Sequence, residues 1–91
     1  MNVEFTPDAW EEFMYWVRQN RQLAYKIDKL LQDIRRDPFG GIGKPEALKH
    51  ELQGFWSRRI TQEHRLVYEI VPGANQALKC VVVSCRYHYG Q

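Results

Sequence analysis

The sequence predicts an α+β fold, with two N-terminal helices packed on one face of a twisted, mainly antiparallel β-sheet. Three observations predict it. The first half carries two segments whose apolar residues recur at helical spacing. The second half alternates apolar and polar residues in runs of strand length, separated by turn residues. A chain of 91 residues has room for one hydrophobic core, so both halves must share it in a single domain spanning residues 1–91. With 44% apolar and 26% charged residues, the chain has globular rather than disordered composition.

Taken in order, "NVEF" alternates Val3 and Phe5 with polar neighbours and reads as a short first strand. "TPDAWEEFMYWVRQN" opens a helix. Thr6 suits the N-cap, Pro7 the first turn, and Asp8, Glu11 and Glu12 the positive end of the dipole. Its predicted core stripe is Trp10, Phe13, Met14 and Val17. Beyond Asn20, "RQLAYKIDKLLQDIRRD" gives a second helix with Leu23, Ile27, Leu30, Leu31 and Ile34 on one side, stopped by Pro38.

The stretch "PFGGIGKPE" is too rich in glycine and proline for a long regular element. It is not a phosphate cradle, because no strand precedes it and the P-loop spacing is missing. Strands follow in "GFWSRRIT", "HRLVYEIV" and "ALKCVVVSCRYHY". If Trp56, Ile60, Leu66, Tyr68 and Ile70 all face the core, the hairpin needs an odd loop. Gln62-Glu63-His64 meets that condition, with Ile60 opposite Leu66 and both Arg59 and Arg65 on the open face. The run "CVVV" is apolar on both sides, as expected for an interior strand.

Cys80 and Cys85, five apart on one predicted strand, should face opposite ways. They would then lie roughly 16 Å apart, beyond the ~7 Å reach of a disulfide. They read as buried fillers, which suits the cytoplasm. No apolar run approaches the roughly 20 residues of a membrane span. The start, "MNVEFTPDAW", lacks the pattern of a secretory signal, so the expected location is cytoplasmic with no membrane partner.

The net charge of +2 is unevenly spread: residues 1–43 carry −1 and residues 44–91 carry +3. The basic excess in the sheet half hints at a polyanionic partner. The open face is expected to gather Arg59 and Arg65, with Arg86, Tyr87, His88 and Tyr89 from the last strand and Glu46 from the glycine loop. These groups match the needs of metal-free RNA cleavage by the substrate's own 2′-hydroxyl. Glu46 can take the hydroxyl proton and His88 can protonate the leaving 5′-oxygen. Arg65, with Arg59, supplies charge at the phosphate, and Tyr87 or Tyr89 can stack on a splayed base or bond the phosphate. No metal ligand set or cofactor motif is present, and none is expected. Each residue also has a plainer reading: His88 as a structural strand histidine, Glu46 as a solvated charge, the arginines as solubilising. His50 and His64 read as surface residues, His64 because it falls in the turn.

The combination "GIGKPEALKHELQGFWSRRITQEHRLVYE" with the closing "CRYHY" resembles the YoeB toxins, a branch of the RelE superfamily of bacterial toxin–antitoxin systems. The likeness runs over essentially the whole chain. It implies a RelE-like fold and a ribosome-dependent endoribonuclease that cuts mRNA in the A site and stops translation. By that resemblance Glu46 is the general base, Arg65 the phosphate stabiliser, His88 the general acid, and Tyr89 positions the nucleotide. Lys49 and Arg59 match positions expected to touch the RNA backbone. The implied partners are a YefM-like antitoxin, the 70S ribosome with its mRNA, and a second copy in a homodimer. Such relatives typically stop at the tyrosine of RYHY, whereas this chain continues with Gly90 and Gln91. ParE-like relatives, which act on DNA gyrase, offer a non-catalytic reading of the same fold, and a plain RNA-binding module is a third. Strict alternation would send His88 and Tyr89 to opposite faces, so a break in the strand is expected near Tyr87.

Overall fold

The computed structural model describes residues 1–87. The chain runs β1 (Asn2–Phe5), α1 (Pro7–Gln19), α2 (Arg21–Arg36), β2 (Glu46–Ala47), β3 (Trp56–Arg59), β4 (Arg65–Pro72) and β5 (Leu78–Ser84). Short 3₁₀ turns at His50–Leu52 and Ala74–Gln76 interrupt the second half. Among the described residues the strands form one sheet in the order β1-β5-β4-β3-β2. Only the β1–β5 pair is parallel. The apolar "CVVV" run is thus interior, between β1 and β4, as its two-sided hydrophobicity requires.

Both helices bury one stripe against the same side of the sheet, in a core that includes Ile27, Leu30, Ile34, Leu66, Tyr68 and Val82. Helix α1 starts where Thr6 Oγ1 accepts the Ala9 N–H at 3.2 Å, with Pro7 in its first turn. Its buried face differs from the expected stripe. Ala9 and Trp16 are buried, Phe13 and Val17 pack against the core, and Trp10 is 48% exposed. The stripe turns this way because the Trp16 indole N–H finds a buried acceptor, the Cys85 carbonyl, at 2.8 Å.

The β3–β4 hairpin keeps the expected odd loop but closes it one residue sooner. Arg58 lies opposite Leu66 and Arg59 opposite Arg65. The Ile60 N–H donates to His64 O, so the loop is residues 61–63 and not 62–64. Thr61 causes the shift: its hydroxyl accepts the N–H groups of Glu63 and His64 at 3.1 and 3.0 Å, folding the turn locally.

That register puts Arg58, which has the parity of Trp56 and Ile60, on the helix side with no exposed surface. All five of its N–H donors are matched. Nε donates to the Tyr68 hydroxyl, and Nη1 to Asp33 at 2.6 Å and Ile42 O. Nη2 donates to Asp37 O and Gly40 O. The Tyr68 hydroxyl in turn donates to Pro38 O at 2.9 Å. Four carbonyls of the glycine loop therefore converge on one buried guanidinium and its tyrosine neighbour. The glycines allow this approach. A Cβ on Gly43, where φ is +80°, would meet Leu30 at 2.8 Å, and one on Gly41 would overlap the Asp33 carboxylate. The loop cradles an arginine of its own chain.

Asp33 is held at about 2, well below its ordinary 3.8, first by the Ile42 N–H and then by Arg36 and Arg58. A carboxyl depressed on folding contributes stability that is complete above its unfolded value and is lost as pH falls through the folded one. Wild-type protein should therefore lose stability between about pH 4 and pH 2. An Asp33→Asn variant should show a shallower loss over that range in urea melts followed by circular dichroism. Parallel pH profiles would remove Asp33 from the acid response.

Strand β5 contains a second departure. Tyr68 pairs with Val82 but Val67 with Ser84, so Val83 is an extra residue, a β-bulge. It resets the alternation. Cys80, Val82 and then Cys85 all face the core, so the two cysteines do not face opposite ways as strict alternation implies. Both are free thiols, and burial raises each to about 12. They act as inert apolar fillers.

Candidate functional site

The face of the sheet turned away from the helices carries the candidate site. Directly paired residues share a face, so Glu46 on β2, Ser57 on β3 and Val67 on β4 form one row across it. Two residues along, Arg59 and Arg65 form the adjacent row. Two strand spacings and two residues put the Glu46 and Arg65 backbones roughly 12 Å apart. One acidic and two basic side chains thus belong to a single face of the sheet.

The elements that deliver these residues are rigid. Glu46 follows directly on the loop gathered by Arg58, and the Arg59 N–H anchors that loop again by donating to Gly43 O at 2.7 Å. Arg65, only 8% exposed, uses one nitrogen, Nη1, on the carbonyls of Thr61, Gln62 and His64 at 2.8 to 3.1 Å. Its Nε and Nη2 donors make no hydrogen bond among the described residues, and Arg59 beside it is exposed. The result is an anchored, largely buried cation beside an exposed one. That arrangement suits charge that develops on a phosphate during reaction.

Lys49 and Arg86 stand apart from these two arginines. Lys49 is exposed but lies beyond Ala47, on the side of Glu46 away from Arg65. There it lines a shallow groove of about 380 Å³ with Glu46 and His50. Arg86 does not join Arg59 and Arg65. Its guanidinium stacks on the Tyr15 ring of α1 at 3.6 Å, with Tyr87 on another side at 4.6 Å. Its Nε is buried with no hydrogen-bond partner among the described residues. The Val83 bulge and the end of β5 at Ser84 account for this, since pleat alternation no longer governs position 86. The expected break in the strand is present: Tyr87 has φ of +67°, in the left-handed region. His88 and Tyr89 lie outside the described residues.

His64 was read as a surface residue of the turn, and the structure corrects this. Its side chain is 12% exposed, its ring sits edge-on to Trp16 at 4.7 Å, and Nδ1 accepts the Tyr87 N–H at 2.7 Å. Glu12 and Trp16, read as a dipole residue and an unremarked helix residue, also reach the last segment, through the Cys85 N–H and C=O. No local pattern signals these roles, because each depends on a partner about 20 to 70 residues away.

Comparison with known proteins is consistent across methods. Residues 5–89 match the family described as the YoeB-like toxin of the bacterial type II toxin–antitoxin system. The chain is 45% identical to Toxin YoeB of Escherichia coli K12 over 98% of its length and all of that protein. Its fold matches the YoeB/ParE toxin from Agrobacterium tumefaciens with a TM-score of 0.91 at 39% identity, covering 98% and 100% of the two chains. Two structures from Staphylococcus aureus, each 42% identical with 98% of both chains covered, are also similar. One is a heterotetrameric YoeB–YefM toxin–antitoxin complex with a TM-score of 0.84, and the other is a YoeB dimer with a TM-score of 0.82.

Proposed function

This chain belongs to the YoeB-like toxins of bacterial type II toxin–antitoxin systems, and from that premise we propose that it is a ribosome-dependent mRNA endoribonuclease acting in the cytoplasm. In this reading Glu46 removes the proton from a ribose 2′-hydroxyl, and the oxygen attacks the adjacent phosphorus. His88 gives its proton to the departing 5′-oxygen, leaving a 2′,3′-cyclic phosphate and a free 5′-hydroxyl. Each proton transfer is worth on the order of 10²–10⁴-fold. Arg65 stabilises the phosphate charge, Tyr89 positions the nucleotide, and Lys49 and Arg59 contact RNA. A YefM-like antitoxin would neutralise the protein, and a homodimer would be its self-associated form. The relatives crystallised in those assemblies support both expectations.

The observation that carries the proposal is Arg65. It is buried to 8% exposure and anchored through one nitrogen, on the face of the sheet that also carries Arg59 and Glu46. A solubilising arginine would be exposed and unanchored. Attack by the 2′-hydroxyl requires it to be held in line with the phosphorus and the leaving oxygen, so positioning by the ribosome must supply much of the acceleration.

Mapping mRNA ends in a reconstituted translation reaction tests this. Wild type should give discrete codon-linked cuts and little cleavage of free RNA. Glu46→Ala and His88→Ala should each fold and lose the cuts. Translation blocked equally well by the double variant, with intact mRNA, would establish a non-catalytic inhibitor instead.

A further inference from the structure

The polar backbone groups of the last described residues have lost their sheet partners, because β5 ends at Ser84. Backbone groups need partners, and three of the four bonds that hold these residues come from side chains. Glu12 accepts the Cys85 N–H at 2.8 Å, and Trp16 donates to Cys85 O at 2.8 Å. Two residues on, His64 Nδ1 accepts the Tyr87 N–H at 2.7 Å, and the Arg65 N–H donates to Tyr87 O at 3.0 Å. Both polar groups of Tyr87 are thus held by adjacent residues of the hairpin, one of which is the phosphate-binding candidate.

We propose that His64 is a positioning residue for the reaction: its imidazole, braced by Trp16, holds the Tyr87 peptide that directly precedes His88 in the chain. This rests on the nuclease reading given above. Tyr87 occupies the left-handed region, which costs a non-glycine residue energy unless its surroundings enforce it. His64 is the enforcing group. Because Nδ1 is the acceptor, the ring proton lies on Nε2, which faces Glu63 Oε1 at 3.6 Å. The ring is therefore fixed by its contact with the Trp16 ring and by the peptide it holds. The plainer alternative is that His64 only ties down a chain end. In that case its loss would lower stability and leave the chemical step alone.

The comparison that separates them is His64→Leu against His64→Asn, since the asparagine carbonyl oxygen can replace Nδ1 as acceptor. Two readouts are needed: hydrogen exchange at the Tyr87 amide, and single-turnover cleavage on programmed ribosomes across ribosome concentration. His64→Leu should lose protection at Tyr87 and slow the saturated cleavage rate about 10- to 100-fold, the scale of a misplaced reacting group. Its half-saturating ribosome concentration should stay put, and His64→Asn should recover both the protection and the rate. Where His64→Leu does not fold, Glu12→Ala against Glu12→Gln applies the same comparison at Cys85. Wild-type cleavage rates in His64→Leu, with Tyr87 protection lost, would overturn the proposal and leave the nuclease reading intact. A wild type that cuts no mRNA at all would overturn both, even with the Tyr87 amide protected.

Discussion

Arg58→Leu protein should be largely unfolded, whereas Arg59→Leu, one residue on, should melt like wild type. Arg58 has no exposed surface, and its five donors serve Asp33, three loop carbonyls and Tyr68. Asp33 would keep Arg36 and the Ile42 N–H, but the three carbonyls and the Tyr68 hydroxyl would lose their donor, and each buried polar group left unsatisfied costs about 1–3 kcal/mol. Total stabilities of about 5–15 kcal/mol are usual, and a domain this small sits toward the lower end. Exposed Arg59 has no such network among the described residues, and surface changes of that kind stay within about 0.5 kcal/mol. Urea melts of both variants by circular dichroism check this. Equal midpoints would show that the guanidinium does not organise the loop.

Arg65→Ala should leave a folded protein that cuts ribosome-bound mRNA about 10²–10³-fold more slowly. That is the usual cost of removing one donor aimed at developing transition-state charge. Arg65→Lys should recover part of the loss, since a lysine restores the charge without the planar fork. The check is single-turnover cleavage at saturating ribosome, with a melt alongside because Nη1 also ties the hairpin carbonyls. Wild-type cleavage by a folded Arg65→Ala protein would take Arg65 out of the site.

What could be read from the sequence was what depends on local period. The stripe of α2, the Thr6 cap, the interior character of "CVVV" and the odd hairpin loop follow from spacing, and the structure carries them, whereas the stripe of α1 is rotated toward Ala9 and Trp16. The shared face of Arg59 and Arg65 followed from parity alone, which survived the one-residue change in loop closure. What escaped depends on distant partners. Arg58 has the parity of a core residue but the chemistry of a surface one, and only a view of the loop carbonyls explains its burial. His64 looked like a turn residue because its partners, Trp16 and Tyr87, are remote in sequence. The two cysteines and Arg86 were misplaced for a single reason: one unpaired residue at Val83 breaks the count on which any alternation argument depends.

That one residue acts on the molecule as an inserted letter acts on a reading frame. In β5, Val82 and the residues before it are written in one phase of the pleat, and Ser84 and Cys85 in the other. An engineer who trims Val83 to tidy the strand would transpose Cys85 and its neighbours between oil and water while leaving the composition almost untouched. Grafting this carboxy-terminal segment onto another sheet would require carrying the surplus residue along with it.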